Sequence, residues 1–515
     1  MGTADRRSHE PDHCEHCQAN RASRKKVGEA PGWVRDAVFY QIFPDRYASS
    51  DRLNKPNGLE KWSDPPSIHG YKGGDLAGIQ DRLDWLTDLG INAIYLNPIF
   101  QSGSNHRYHT HDYYRVDPLL GGNPAFDDML QACHQRGVRV ILDGVFNHAS
   151  RGFFPFHDVL ENGENSPYAD WFHIHGWPLH PYSQSHPANY EAWWGLKALP
   201  KFNTDNPQVR EYLMKVGEHW MRKGIDGWRL DVPEEIATPG FWEEFRERIR
   251  AINPEAYIVG EVWGDASWYI AGGERFDATM NYQWTAATIS YTVGRRLDYS
   301  TRLDNPLYSV APPLDAAGYR DRIAWLLERY PEEATLANLT LLDSHDTARI
   351  RSIASGDVDS VILSLVLLLT FPGAPCIYYG TEIGLEGGKD PDSRRSFPWE
   401  QQETWSSEIL EATRELIALR REHPALRSPH FRPLWPTGQG DGTMAYAFER
   451  RSEDDRIVVI VNAGDDTESH PVPYSTVASN DAEILWGTAQ FDLGKNHVRV
   501  TLPPRSAVIW RLRNG

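Results

Sequence analysis

From about Trp33 onward, short β-branched apolar runs alternate with stretches in which apolar residues recur at helical spacing. "VFYQIFP" precedes "DLAGIQDRLDWLTDLG", where Leu76, Ile79, Leu83 and Leu86 share one helical face between an N-cap candidate, Asp75, and a stop, Gly90. "INAIYLNPIF" precedes "FDDMLQACHQRG", and "VRVILDGVFNH" opens a third unit. In "NPQVREYLMKVGEHWMRKG", Val209, Leu213, Val216 and Trp220 line one face, with Pro207 suited to the first turn and Gly224 to the end. "GIDGWRLDV", "AYIVGEVWG", "ATMNYQW", "LTLLDSHD" and "APCIYYG" follow, most with a helical pattern behind them. Eight β-then-α units over about 400 residues predict an α/β chain built as a (β/α)8 TIM barrel, with a doubly wound open sheet as the weaker alternative.

Two stretches depart from the rhythm. Residues 149–203, after strand three, are rich in Pro, His, Trp and Asn and read as a small inserted domain, which leaves 31–148 and 204–428 for the barrel. Over 429–515 the helical period gives way to "GTMAYAFERR", "DRIVVIVNAG", "HVRVTL" and "SAVIWRL", the alternation of a C-terminal antiparallel β-sandwich.

Residues 1–30 are polar and read as a flexible tail, without the apolar core of a leader. The longest apolar run, "VILSLVLLLT" at 361–370, is about half a membrane span. Neither a membrane nor export is expected, and four scattered cysteines (Cys14, Cys17, Cys133 and Cys376) fit a reducing cytoplasm. Within the tail, "HEPDHCEHC" sets Cys14 and Cys17 among three histidines but lacks the second half of a zinc site, so no metal is assigned to it. A formal net charge of −18 argues against nucleic acid as partner. Nineteen tryptophans and 12% aromatics are high, as in sugar clefts, although most of these rings belong to the core.

The chemistry starts from "GWRLDVPEE" at 227–235, where two opposite charges interrupt an apolar strand. Residues two apart on a strand share a face, so Arg229 and Asp231 point the same way near the end of strand four, where barrel enzymes place their chemistry. An arginine beside Asp231 is expected to hold it ionised. Other strand ends are polar too: Asp143, Asn147 and His148 after strand three, Glu261 after strand five, and Asp343, His345 and Asp346 after strand seven. Asp231, Glu261 and Asp346 thus converge on one rim. Two carboxylates on facing strands suit glycoside hydrolysis, one attacking the anomeric carbon and the other moving the leaving-group proton. Metal binding by the same acids is the rival, disfavoured by the arginine.

"DGVFNH", "GWRLDVPEE", "EVWG" and "LLDSHDTAR", in this order and spacing, resemble the four main sequence regions of the α-amylase family of glycoside hydrolases. The resemblance implies a retaining enzyme with Asp231 as nucleophile, Glu261 as general acid/base and Asp346 as transition-state stabiliser. It implies that Arg229 orients the nucleophile and that His148 and His345 hydrogen-bond the sugar. Tyr108, in "NHRYHTHDYY", matches the ring beneath that sugar, Trp263 belongs to "EVWG", and Asp390 and Arg394, in "DPDSRR", match contacts further out. "LPKFN" at 199–203, after "YEAWWG", is similar to the motif of the neopullulanase, cyclomaltodextrinase and maltogenic amylase group, and Glu235 matches a glutamate of that group near the acceptor subsites.

The implied substrates are maltodextrins, cyclodextrins, starch or pullulan, cleaved mainly at α-1,4 bonds. A 4-α-glucanotransferase or an α-glucosidase would use the same triad, and a non-catalytic binding relative is the remote alternative. Pro233 and Glu234 depart from the group's usual residues. The group's β-rich N-terminal domain has no counterpart before residue 31, so its dimer is not expected. The calcium loop of some relatives matches "ASSDRLNKP" and "GGDL", but Lys55 stands where an acidic ligand belongs, and no cofactor is assigned.

Overall fold

Eight parallel strands close around one interior in the computed structural model, which describes residues 29–512 except 304, 309, 311–312, 439–441, 474–481 and 496. They are β1 (Phe39–Ile42), β2 (Ala93–Leu96), β3 (Arg139–Gly144), β4 (Gly227–Leu230), β5 (Tyr257–Gly260), β6 (Ala278–Thr279), β7 (Leu339–Leu341) and β8 (Ala374–Tyr378). The hydrogen-bonded order runs β6-β5-β4-β3-β2-β1-β8-β7. A parallel bridge between Met280 and Leu339, with Asn281 N donating to Leu339 O at 2.8 Å, joins the two ends. That closure separates a barrel from the open sheet, whose outer strands would be left unpaired. The tail at residues 1–28, with Cys14 and Cys17, lies outside the described residues.

The helices form where the periodicity predicts them, with one difference. Asp75 caps the first by accepting from Gly78 N, and Gly90 ends it at φ 95°, yet the element is two helices, Leu76–Asp81 and Leu83–Leu89. The break falls at Arg82, whose guanidinium sits 4.3 Å from the centre of the Trp399 ring. Helix Pro207–Lys223 begins under the Asn206 cap and ends at Gly224, which has φ 104°. The run read as too short for a membrane lies in helix Val358–Thr370, apolar nearly all round because it is buried between the barrel, helix Ser407–Glu422 and the C-terminal strands. Among the described residues no helix is long and apolar enough to cross a membrane.

Beyond the barrel, a five-stranded and a three-stranded antiparallel sheet face each other. The strand Arg456–Asn462 explains its own unbroken apolar sequence. Ile457, Val459 and Val461 pack on the barrel core, while Val458 and Ile460 pack between the two sheets. After β3, residues 149–203 fold as helix Phe154–Asn162 with irregular turns around a cluster of Phe153, Phe156, Phe172, Tyr190 and Phe202.

The loop after β1 holds Lys55 where the resemblance places a calcium ligand. Its ammonium donates to Gly73 O at 2.7 Å and to the buried Asp75 carboxylate. Asp75 also accepts from Ser50 N and Gly78 N, so its oxygens are saturated by this chain's own donors. A fixed ammonium repels a hard divalent cation, and these residues do not fit calcium. Melting curves in EDTA and in added calcium should therefore coincide, while Lys55→Ala, which strips a charge-assisted bond from Asp75, should cost about 2 kcal/mol. A calcium-dependent rise of several degrees, lost in Asp75→Asn, would overturn this.

Candidate active site

The opposite charges in "GWRLD" are explained by one buried guanidinium. β3 and β4 pair in register, Asp143 beside Arg229, so both side chains leave the sheet on the interior face. Arg229 Nη1 donates to Asp143 Oδ1 at 2.8 Å and to Asp231 Oδ1 at 3.0 Å, and Nη2 lies 2.6 Å from Glu261 Oε1. Arg229 is fully buried, so a single cation serves three carboxylates from consecutive strands.

Asp143 spends its remaining capacity on Tyr95 Oη at 2.7 Å and Tyr108 Oη at 2.8 Å, which leaves it a scaffold. Glu261 follows β5 and accepts from Val232 N at 3.3 Å. That amide is aimed by an unusual backbone: Val232, directly after Asp231, has φ 35° and ψ 53°. A β-branched residue in the left-handed region costs on the order of 1–3 kcal/mol, strain of the kind found where geometry serves a site.

Asp346 completes the rim, about one-third exposed. His345 Nε2 lies 3.0 Å from Asp346 Oδ2 and 2.7 Å from Tyr108 Oη, and Arg394 Nη2 lies 3.3 Å from Asp346 Oδ1. The Tyr108 and His345 rings are parallel within 6° at 5.5 Å. Gln41 Nε2 donates to Asn97 Oδ1, which fixes its orientation and makes His345 Nδ1 an acceptor at 2.9 Å. Burial holds His345 well below the usual histidine range, so it acts as a neutral imidazole. Arg394 also pairs with the half-exposed Asp390 at 2.9 Å.

Across the rim, burial lowers His148 to about 3, and its Nε2, like Asn147 Oδ1, has no protein partner among the described residues. A neutral ring nitrogen beside an open amide oxygen can engage a hydroxyl. Trp263 stacks on Tyr282 at 3.8 Å and 5°. Glu235 pairs with Lys201 of "LPKFN" at 3.0 Å, tying the inserted segment to the end of β4. Burial lifts the Glu234 carboxyl to about 7.

Asp343, at the end of β7, accepts from Ile350 N at 2.9 Å and Thr381 Oγ1 at 2.8 Å and is a structural anchor outside the three rim carboxylates. One expectation needs correcting. The expectation is that Arg229 keeps Asp231 in the ordinary carboxylate range, and it does not. Burial, with Asp143 and Asp346 adding repulsion, outweighs the arginine and pushes Asp231 up to about 8. Burial likewise holds Glu261 well above the usual carboxylate range against the pull of Arg229, with repulsion from Asp231 adding to the rise. Sequence reading missed the supporting residues Gln41, Tyr95, Asn97 and Lys201. Their one signal was a polar group inside otherwise apolar strands, as in "FYQIF" and "YLNP". Among the described residues no group of three or more His, Cys, Asp or Glu side chains is placed to hold a metal ion.

Residues 41–430 match the family model of the α-amylase catalytic domain, and 435–513 match that of the α-amylase C-terminal all-β domain. The chain belongs to the α-amylase family of glycoside hydrolases. Within the family it is similar to a cyclomaltodextrinase of Geobacillus thermopakistaniensis, at 38% identity over 95% of this chain and 79% of that one. It is similar to neopullulanase 2 of Thermoactinomyces vulgaris, at 40% identity over 85% of this chain and 71% of that one. A solved structure of an acarbose-soaked debranching enzyme from Nostoc punctiforme is 51% identical over 94% of this chain and 99% of that chain, with a TM-score of 0.84. This α-amylase family member is accordingly a glycosidase of the cyclomaltodextrinase and neopullulanase type.

Its two raised acids set a pH profile. Burial lifts Asp231 to about 8 and holds Glu261 well above the usual carboxylate range. For a reaction that uses Asp231 as a carboxylate and Glu261 as a proton donor, kcat/KM should climb through the neutral range rather than near 4, and fall at higher pH as Glu261 ionises. In Glu261→Gln the falling limb should vanish. A rising limb centred near 4 in the wild type would show that Asp231 titrates as an ordinary carboxylate.

Proposed function

We propose that this glycosidase hydrolyses α-glucosidic bonds, mainly α-1,4, of maltodextrins, cyclodextrins, starch or pullulan with retention of configuration. The observation that carries the reading is the shared guanidinium, which holds Asp231 and Glu261 on adjacent strand ends, one on each of its terminal nitrogens. In the first step an Asp231 oxygen forms a bond to the anomeric carbon as the glycosidic C–O bond breaks, and Glu261 gives its proton to the departing oxygen. Water then attacks the same carbon, Glu261 takes a proton from it, and Asp231 leaves as carboxylate. A sugar hydroxyl replacing that water gives transglycosylation.

Asp346 opposes positive charge on the oxocarbenium-like transition state, while His345 and the open His148 Nε2 take hydroxyls of the sugar held there, over Tyr108. Trp263 and Glu235 stand on the side of the leaving or accepting sugar, and Asp390 with Arg394 further along the other. Likeness to a protein named as a debranching enzyme places branched α-glucans beside linear ones among the substrates to assay.

Asp231→Asn should lower kcat by about four orders of magnitude or more on every α-glucan tested. A second readout comes from linkage. Because Asp231 titrates near 8 in the folded protein and near 4 unfolded, the folded state holds the extra proton between those values, and stability falls as pH rises through that window. The asparagine variant escapes this, so its melting midpoint should gain on the wild type from pH 5 to pH 8. Wild-type-like turnover in the variant would sink the mechanism.

A further inference from the structure

The hydrogen bonds behind the rim run in one direction, and counting protons forces that direction. Asp143 accepts from Arg229 Nη1 at 2.8 Å, Tyr95 Oη at 2.7 Å and Tyr108 Oη at 2.8 Å. Each tyrosine has one hydroxyl proton, which goes to Asp143, so its oxygen can only accept from elsewhere. Asn97, buried just after β2, therefore turns its amide nitrogen toward them, 3.1 Å from Tyr108 Oη and 3.4 Å from Tyr95 Oη. Its carbonyl is left to face Gln41, which meets it with Nε2 at 3.1 Å. The second proton of that nitrogen points at His345 Nδ1, 2.9 Å away, so the ring carries its own proton on Nε2. Nε2 lies against two acceptors, Tyr108 Oη at 2.7 Å and Asp346 Oδ2 at 3.0 Å. The reverse order fails, because the single Tyr108 proton would have to serve Asp143, Asn97 and His345 together.

Gln41 keeps this orientation although it leaves an atom unsatisfied. The side chain is fully buried, and its Oε1 has no protein partner among the described residues. A buried carbonyl left unpaired opposes folding. Turning the amide over would set that oxygen against the Asn97 carbonyl, so Asn97 holds Gln41 in place. The same lock excludes a second proton from His345, since an N–H at Nδ1 would meet the N–H of Gln41. Burial and the charges of Arg394 and Arg229 work in the same sense, and His106, within electrostatic reach of the ring, is itself held neutral by burial.

We infer that Gln41 and Asn97 are positioning residues of the hydrolysis, acting through His345 to keep its ring uncharged, with the one proton on the nitrogen that faces Asp346. The inference rests on the glucan-hydrolase reading above and deepens it. A cationic ring 3.0 Å from Asp346 would neutralise the carboxylate that opposes charge on the oxocarbenium-like transition state. A neutral ring leaves that carboxylate its charge and still offers an N–H to a sugar hydroxyl.

Nitrogen-15 spectra of protein labelled in its histidine rings, with His345→Gln identifying the signals of His345, read the ring directly. In the wild type His345 should stay neutral over about pH 5 to 8, protonated on Nε2 and bare at Nδ1. Gln41→Glu gives Nδ1 an acceptor in place of a donor. Its ring should become an imidazolium, and kcat on maltoheptaose should fall by about 10- to 100-fold with KM moved far less. Gln41→Met adds no buried charge and keeps the test open if the glutamate variant does not fold. In it His345 should take up its second proton at a higher pH than in the wild type, and kcat should fall by about 3- to 10-fold. Asn97→Leu, which releases Gln41 to turn over, should move both readouts in the same direction. A wild-type ring that is charged, or protonated on Nδ1, in this range would overturn the inference, as would variants in which either the His345 spectrum or kcat stays as in the wild type. Wild-type protein that turns over no α-glucan would defeat the functional reading, and the spectra would still decide the state of His345.

Discussion

The site depends on a single charge that has nowhere else to go. Arg229 is sealed inside the barrel mouth, where an unpaired guanidinium would cost several kcal/mol, and Asp143, Asp231 and Glu261 satisfy it. Three carboxylates on one cation leave net negative charge in a buried place, and the site answers by holding a proton. Burial raises both carboxyls, Asp231 in contact with Nη1 and Glu261 with Nη2 of the same arginine.

The rest of the rim holds this arrangement rigid. Asp143 is pinned by two tyrosines, and one of these, Tyr108, also meets His345, whose tautomer is set by Gln41 from β1. Side chains from β1, β2 and β3 and from the chain after β7 therefore support groups delivered by β4 and β5. Such a network requires closure of the barrel, because β1 and β7 adjoin the rim only when the strands form a ring. Strain at Val232 belongs to the same economy, as it directs one amide at Glu261. The inserted segment packs on the rim from outside, through Lys201 on Glu235 and the ring of Trp193 on His148.

Beyond the mouth, stability comes from elements buried on both faces. The strand Arg456–Asn462 gives alternate residues to the barrel core and to the space between the two sheets, which welds the C-terminal strands to the barrel. Helix Val358–Thr370 is enclosed in the same way. Their sequences look too apolar for surface elements because neither has a surface. The Lys55 loop shows the same logic with charge, an internal ammonium satisfying a buried aspartate.

Much of this was legible in the chain itself. Periods of two and of 3.6 residues, with caps such as Asp75, Asn206 and Gly224, specify strands and helices through forces between near neighbours. Eight such units predict a barrel, and acids at the strand ends mark its working rim, since a strand's direction places successive side chains without knowledge of the rest. Tertiary structure alone decided what depends on distant partners: the break at Arg82, the anchoring of Asp343 on Ile350 N, and the support from Gln41, Tyr95 and Asn97. It decided the titration of Asp231 as well. The sequence shows the arginine two residues away, but the pKa sums burial and the fields of Asp143 and Asp346, carried by other strands, and those terms exceed the local one. Local order follows from the chain because its causes lie within a few residues, whereas electrostatics in a buried site is a sum over everything the fold brings near.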